Sequence, residues 1–215
     1  MEIKNLSIGL PKKLKYGDQK EIETGICKNS VEEAFLTKDG FIGDGVADLR
    51  YHGGRDRAVC DYPYEHYLLW EKELDTVLPS ATFGENVTVM NMLEKDVHIG
   101  DIFQLGEAVI QITQGRIPCS TITKRTNHPL LLKRLVETGF TGYLCRVLEE
   151  GTVRKNSPIT LIESDSHKIS VLFANEVYLH KPKDVEAIER LLAVDALAND
   201  WKEFLTKRYE KLTNA

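Results

Sequence analysis

Ile102-Phe103-Gln104-Leu105-Gly106-Glu107-Ala108-Val109-Ile110-Gln111-Ile112 consists of two short apolar runs joined at Gly106-Glu107. Runs of this length, separated by a glycine turn, predict two paired strands. Arg57-Ala58-Val59-Cys60-Asp61 and Tyr143-Leu144-Cys145-Arg146-Val147 read as further strands. Short apolar segments broken by such turns favour a β-rich barrel or sandwich. Two helices are expected within this pattern. Tyr64 to Leu74 places Tyr67, Leu68, Trp70, Glu71 and Leu74 on a helical period, with Pro63 at its entry. Pro129 to Val136 forms the second, stopped by Gly139.

Beyond Asp165 the pattern changes. No glycine follows Ser166, and the apolar spacing becomes helical. Val185, Ile188, Leu191 and Leu192 mark one helix face, behind Pro182. Trp201, Leu205 and Tyr209 mark another. The expectation is a mainly β domain with helices (α+β, barrel-like) over 1–164 and a small three-helix segment over 165–215. A segment this short is marginal alone and should pack on the main domain or on a partner.

The 215 residues are 42% hydrophobic and 28% charged, the balance of a folded chain. The formal net charge of −5 argues against general nucleic-acid binding. No apolar run approaches the roughly 18 residues of a membrane span. The N-terminus lacks the pattern of a secretory signal, so a cytoplasmic location is expected. Cys27, Cys60, Cys119 and Cys145 form no Cys-x-x-Cys pair, which predicts free thiols in a reducing compartment.

Three segments can carry chemistry. In Gly43-Asp44-Gly45 through His52-Gly53-Gly54-Arg55-Asp56-Arg57, paired glycines allow close backbone approach to an anion, and guanidinium groups suit phosphate. A tight turn with solvated arginines explains the same residues. Asp44, Asp48 and His52 have metal-ligand spacing for a helix, but Gly43, Gly45, Gly53 and Gly54 argue against a continuous helix there. Phe83-Gly84-Glu85-Asn86 offers a flexible backbone and a polar amide, or simply a β-turn. Gln114-Gly115-Arg116-Ile117-Pro118-Cys119 places a thiol near a cation, in a stretch stiffened by proline. An isolated cysteine is more often a small buried residue. Cys60 and Cys145 fit that description as strand residues, and Cys27 has no supporting feature.

Taken in order, these segments resemble the molybdenum-cofactor sulfurase C-terminal (MOSC) domain family. The resemblance rests on Gly43-Asp44, Ala47-Asp48, His52-Gly53-Gly54, Arg57-Ala58-Val59, Tyr62-Pro63, Glu65-His66-Tyr67, Trp70, Phe83-Gly84-Glu85-Asn86, Gly100-Asp101, Gln111, Arg116, Pro118-Cys119, Gly142-Tyr143 and Arg146-Val147. The C-terminal segment is similar to the three-helix extension of the bacterial stand-alone branch, which is associated with resistance to N-hydroxylated base analogues. Many relatives carry Gly-Asp where this chain has Lys155-Asn156-Ser157-Pro158.

The resemblance implies a molybdenum cofactor (molybdopterin), with Cys119 as catalytic residue and metal ligand. It makes His52, Gly53, Gly54, Arg57, Glu85, Asn86 and Arg116 cofactor-binding candidates. The implied activity is reduction of N-hydroxylated bases with electrons from a separate reductase, since no flavin, dinucleotide or iron–sulfur fingerprint is present. The alternatives are a sulfur carrier, with a persulfide on Cys119 supplied by a cysteine desulfurase, and a non-catalytic cofactor carrier. Only about 40 residues precede Gly43-Asp44, so no pyridoxal phosphate domain is expected. The expected partners are the reductase or desulfurase and a small-molecule substrate, with self-association left open. Neither nucleic acid nor membrane is expected.

Overall fold

The structure, a computed structural model, describes residues 1–214, apart from the side chains of residues 50 and 51. The strands are β1 (Glu2–Ile8), β2 (Lys12–Tyr16), β3 (Lys20–Thr24), β4 (Asn29–Ser30), β5 (Glu33–Thr37), β6 (Gly40–Phe41), β7 (Val59–Pro63), β8 (Val87–Met90), β9 (Ile102–Leu105), β10 (Ala108–Gly115), β11 (Tyr143–Glu149), β12 (Gly151–Arg154) and β13 (Ile159–Glu163). The helices are α1 (Leu49–His52), α2 (Tyr64–Leu74), α3 (Thr121–Thr126), α4 (Pro129–Thr138), α5 (Val171–Leu179), α6 (Val185–Leu192) and α7 (Asn199–Thr213).

Eight strands form a curled half-barrel sheet in the order β13-β9-β10-β11-β7-β8-β1-β4. The β9–β10 pair lies where its sequence places it, with Ala108 opposite Leu105 and Gln111 opposite Ile102. One pairing was not foreseen: β7 and β8 run parallel, joined through α2. Parallel neighbours need such a crossover. The strand expected over Arg57–Asp61 begins later, at Val59, and runs to Pro63. A 3-10 turn, Arg55–Arg57, occupies its first part, because Gly54 has φ +108° and its carbonyl accepts the Arg57 N–H at 2.9 Å. A positive φ of this kind suits glycine. The turn expected to differ near Lys155 is closed by Ser157, whose N–H donates to the Arg154 carbonyl and whose Oγ accepts from the Arg154 N–H.

Helix α2 buries His66, Tyr67 and Trp70 in a small apolar cluster with Tyr62, Phe83, Ile122, Leu131 and Leu135. Helix α4 ends at Gly139, which is left-handed and donates its N–H to Leu135. The C-terminal helices start on side-chain caps at Ser170 for α5 and Asp184 for α6.

These helices pack on the sheet. Val171, Ala174, Ile188, Leu191, Trp201 and Leu205 share one core with Phe103, Ile110, Ile112 and Val147. Helix α5 lies against β10 so closely that a Cβ on Gly115 would fall 1.6 Å from Asn175 Oδ1. The Asn175 amide donates to the Gly139 carbonyl at 2.7 Å and the Thr141 hydroxyl at 3.0 Å. The helical segment thus braces the end of β10, from which the chain runs to Cys119, and the α4–β11 connection. No described helix is long and apolar enough to cross a membrane.

Candidate functional site: a thiol and a buried guanidinium in one cavity

A cavity of about 860 Å³ opens beside the β10–α3 connection. Its floor follows from strand register. Cys60 on β7 pairs with Leu144 on β11, which pairs with Gln114 on β10, and all three line the cavity. Cys119 enters from the loop after β10. His52, Gly53, Gly54 and Arg57 form the wall before β7. Of the residues expected at the site, the cavity brings together Cys119, His52, Gly53, Gly54, Arg57, Asn86 and Arg116. It does not include Glu85.

Arg116 is the electrostatic centre. Its backbone N–H is fixed to the Gly142 carbonyl at 3.0 Å. Its Nη1 is buried and has no hydrogen-bond partner among the described residues. Burial works against the guanidinium charge, but Cys60, Cys119, Glu85 and Tyr62 around it favour that charge and hold its pKa above the ordinary arginine value. A buried donor without a partner is costly, and a bound water, ion or ligand group would relieve it. The His52 imidazole is pushed below its usual value by partial burial and by the charges of Arg116 and Arg57, with Asp48 opposing. It is therefore neutral at pH 7.

Glu85 joins two elements of the fold. It is fully buried, and its Oε1 accepts from the Tyr67 hydroxyl at 2.5 Å and the Thr88 hydroxyl at 2.9 Å. These bonds tie α2 to β8, while Oε2 is buried with no hydrogen-bond partner among the described residues and the Glu85 charge favours that of Arg116. Asn86 lines the cavity yet also pins the chain: its Oδ1 accepts from the Cys60 N–H at 3.1 Å, and its Nδ2 donates to Asp44 Oδ2 at 2.8 Å. Asp44 additionally accepts from Gly9 and pairs with Lys28. Saturated this way, Asp44 fixes loop backbone and is not a metal ligand. Among the described residues no group of three or more His, Cys, Asp or Glu side chains could hold a metal ion.

Sequence reasoning missed Cys60, which faces the cavity because strand alternation sends Val59 and Asp61 the other way. Burial pushes its thiol up to about 11. It also missed Tyr178, Asp200 and Trp201, which the helical segment adds to the wall.

On the opposite face of β7, Asp61 is buried beside Cys145, whose Sγ lies 3.4 Å from Oδ2. Burial raises the Asp61 carboxyl to about 7, with the Cys145 contact opposing. Between about pH 4 and pH 7 the folded state therefore keeps a proton that the unfolded chain has lost. This contribution to stability is complete below about pH 4 and is lost as pH rises through 7. Asp61→Asn should flatten that fall and exceed wild type at pH 8 by roughly 1–4 kcal/mol. Urea unfolding at pH 5 and pH 8 checks this; equal pH slopes in the two proteins would refute it.

The fold and the cavity define a MOSC-type protein, and the comparisons agree. The MOSC domain model matches residues 48–160, and the model of the YiiM-like 3-alpha helix domain matches residues 169–212. The chain belongs to the MOSC domain family, in the branch that carries this helical extension. It is 44% identical to YflK of Bacillus subtilis over 209 residues, covering 97% of this chain and 94% of that protein. The crystal structure of YiiM from Geobacillus stearothermophilus superposes with a TM-score of 0.82 at 31% identity, covering 97% of this chain and 98% of that one. A reductase of Gibberella moniliformis is 35% identical over 162 residues, covering 73% of this chain but 29% of the reductase.

Proposed function

We propose that this chain binds the pterin-based molybdenum cofactor in the cavity and reduces N-hydroxylated bases, with Cys119 as the metal ligand. One observation carries the reading: the Cys119 thiol shares a single cavity with a buried, unpartnered guanidinium nitrogen of Arg116 and with the Gly53-Gly54 loop.

These residues fit that group. A thiolate suits a soft, sulfur-rich metal centre, and with too few protein donors nearby such a metal would take its other ligands from the pterin. Arg116 would offer its free Nη1 to an anionic part of the cofactor. Gly54, with open space where a Cβ would stand, lets backbone approach an anion, and Arg57 adds charge beside it. The neutral His52 ring can donate one N–H to a ligand. When bound, the cofactor supplies the oxygen-accepting, two-electron chemistry; the protein binds and orients. Electrons come from a separate reductase. The match to part of a longer protein named as a reductase is in keeping with redox work.

The test is metal and pterin analysis of protein made in a host that synthesises the cofactor, followed by reduction of a hydroxylamino-purine with a chemical electron donor. Stoichiometric molybdenum with turnover is expected. Bound pterin without turnover would point to a carrier. Absence of metal, together with one added sulfur atom on Cys119 after treatment with a cysteine desulfurase, would point to a sulfur-transfer module.

A further inference from the structure

Arg57 faces two acids: the neighbouring Asp56 favours its charge, and its Nη2 pairs with the carboxylate of Asp200, in the first turn of α7. The two ends of this pair differ in setting. The Arg57 side chain is 15% exposed and that of Asp200 is 64% exposed. Both border the main cavity, and both border a smaller one of about 250 Å³ that is also lined by Gly53, Gly54 and Asn199. The ion pair therefore stands where an anion entering the glycine loop would meet Arg57.

Docking of α7 does not depend on this pair. The Asn199 N–H donates to Asp56 Oδ2 at 2.9 Å, and the Ala198 N–H donates to the Thr113 carbonyl at 3.0 Å. Arg146 bridges Asp56 at 2.8 Å and the Ala196 carbonyl at 3.0 Å. Trp201 and Leu205 are buried below. An exposed carboxylate adds little to stability beside such contacts.

We propose that Asp200 is a positioning residue acting as an exchangeable counter-ion. The helical extension occupies the charge of Arg57 until an anionic ligand group, a phosphate or phosphate monoester, displaces the carboxylate. This inference rests on the reading of Gly53, Gly54 and Arg57 as an anion cradle. Two anions facing one guanidinium repel each other, so Asp200 competes with the ligand and holds its affinity down.

Inorganic phosphate is the probe, titrated by calorimetry into wild type, Asp200→Asn, Arg57→Gln and, as a control, Asp39→Asn. Asp39 also borders the cavity but pairs with the exposed Arg55. Asp200→Asn should bind phosphate roughly three- to tenfold more tightly than wild type, with an unchanged melting midpoint. Asp39→Asn should gain less, and Arg57→Gln should bind more weakly than wild type. If Asp200→Asn gains nothing, or no more than Asp39→Asn, while Arg57→Gln loses affinity, the counter-ion role is wrong and the cradle stands. If Arg57→Gln binds as wild type does, the cradle is wrong and the proposal goes with it.

Discussion

Serine at position 119 is expected to leave the fold intact and to remove N-hydroxyl reduction, lowering the rate roughly 100-fold or more. Cys119 lies in the loop between β10 and α3 and belongs to neither apolar cluster. Its carbonyl accepts the Ile122 N–H at 3.1 Å, and serine keeps that bond. The exchange is thus small in shape and large in chemistry. A thiol gives up its proton to become a soft ligand, whereas a serine hydroxyl does neither at neutral pH. Circular dichroism and the urea midpoint should match wild type while molybdenum per chain and turnover collapse. Wild-type reduction by the serine variant would end the assignment of Cys119.

Arg116→Met should leave the stability of the ligand-free protein nearly unchanged while weakening ligand binding. Nη1 of Arg116 is buried without a hydrogen-bond partner among the described residues. Leaving such a group unmade costs about 1–3 kcal/mol, and more when it is charged. Methionine fills similar space with an unbranched, adaptable chain and carries no donor. The backbone bond from Arg116 N–H to Gly142 is untouched by the exchange. Cys60, Cys119, Glu85 and Tyr62 favour the guanidinium charge and offset that cost, so the variant free of ligand should unfold within about 1 kcal/mol of wild type. Cofactor retention should fall at least roughly tenfold, because the vacant donor is what the site offers an anion. A larger loss of stability in the ligand-free variant would mean that the guanidinium serves the fold rather than the ligand.

What could be read from sequence was local. The Ile102–Ile112 pair, α2, α4, α6 and α7 each announce themselves through spacing, a proline entry or a glycine stop, whereas α5 shows no such local mark. Arg57–Asp61 was misplaced by two residues because the turn at Gly54 depends on a backbone angle that composition does not specify. The cavity was legible as a set of motifs but not as a shape. Cys119, Arg116 and the glycine loop stood out by residue type, whereas Cys60 looked like any strand cysteine. Glu85 carried the same apparent promise as Asn86, one residue away, yet the two differ in what their side chains reach. Tyr178 and Asp200 come from a segment whose periodicity speaks only of helix packing, and their place in the wall depends on a long-range approach.

Asp56 joins those two levels. Its carboxylate receives the first N–H of α7, 143 residues further along the chain, and also holds Arg146 of the sheet. A helix that borrows its cap from the barrel has no complete beginning of its own. Inheritance is then constrained at both ends: a change at position 56 is felt where α7 begins, and a helical extension exchanged between relatives must arrive with a barrel that still offers the matching acid.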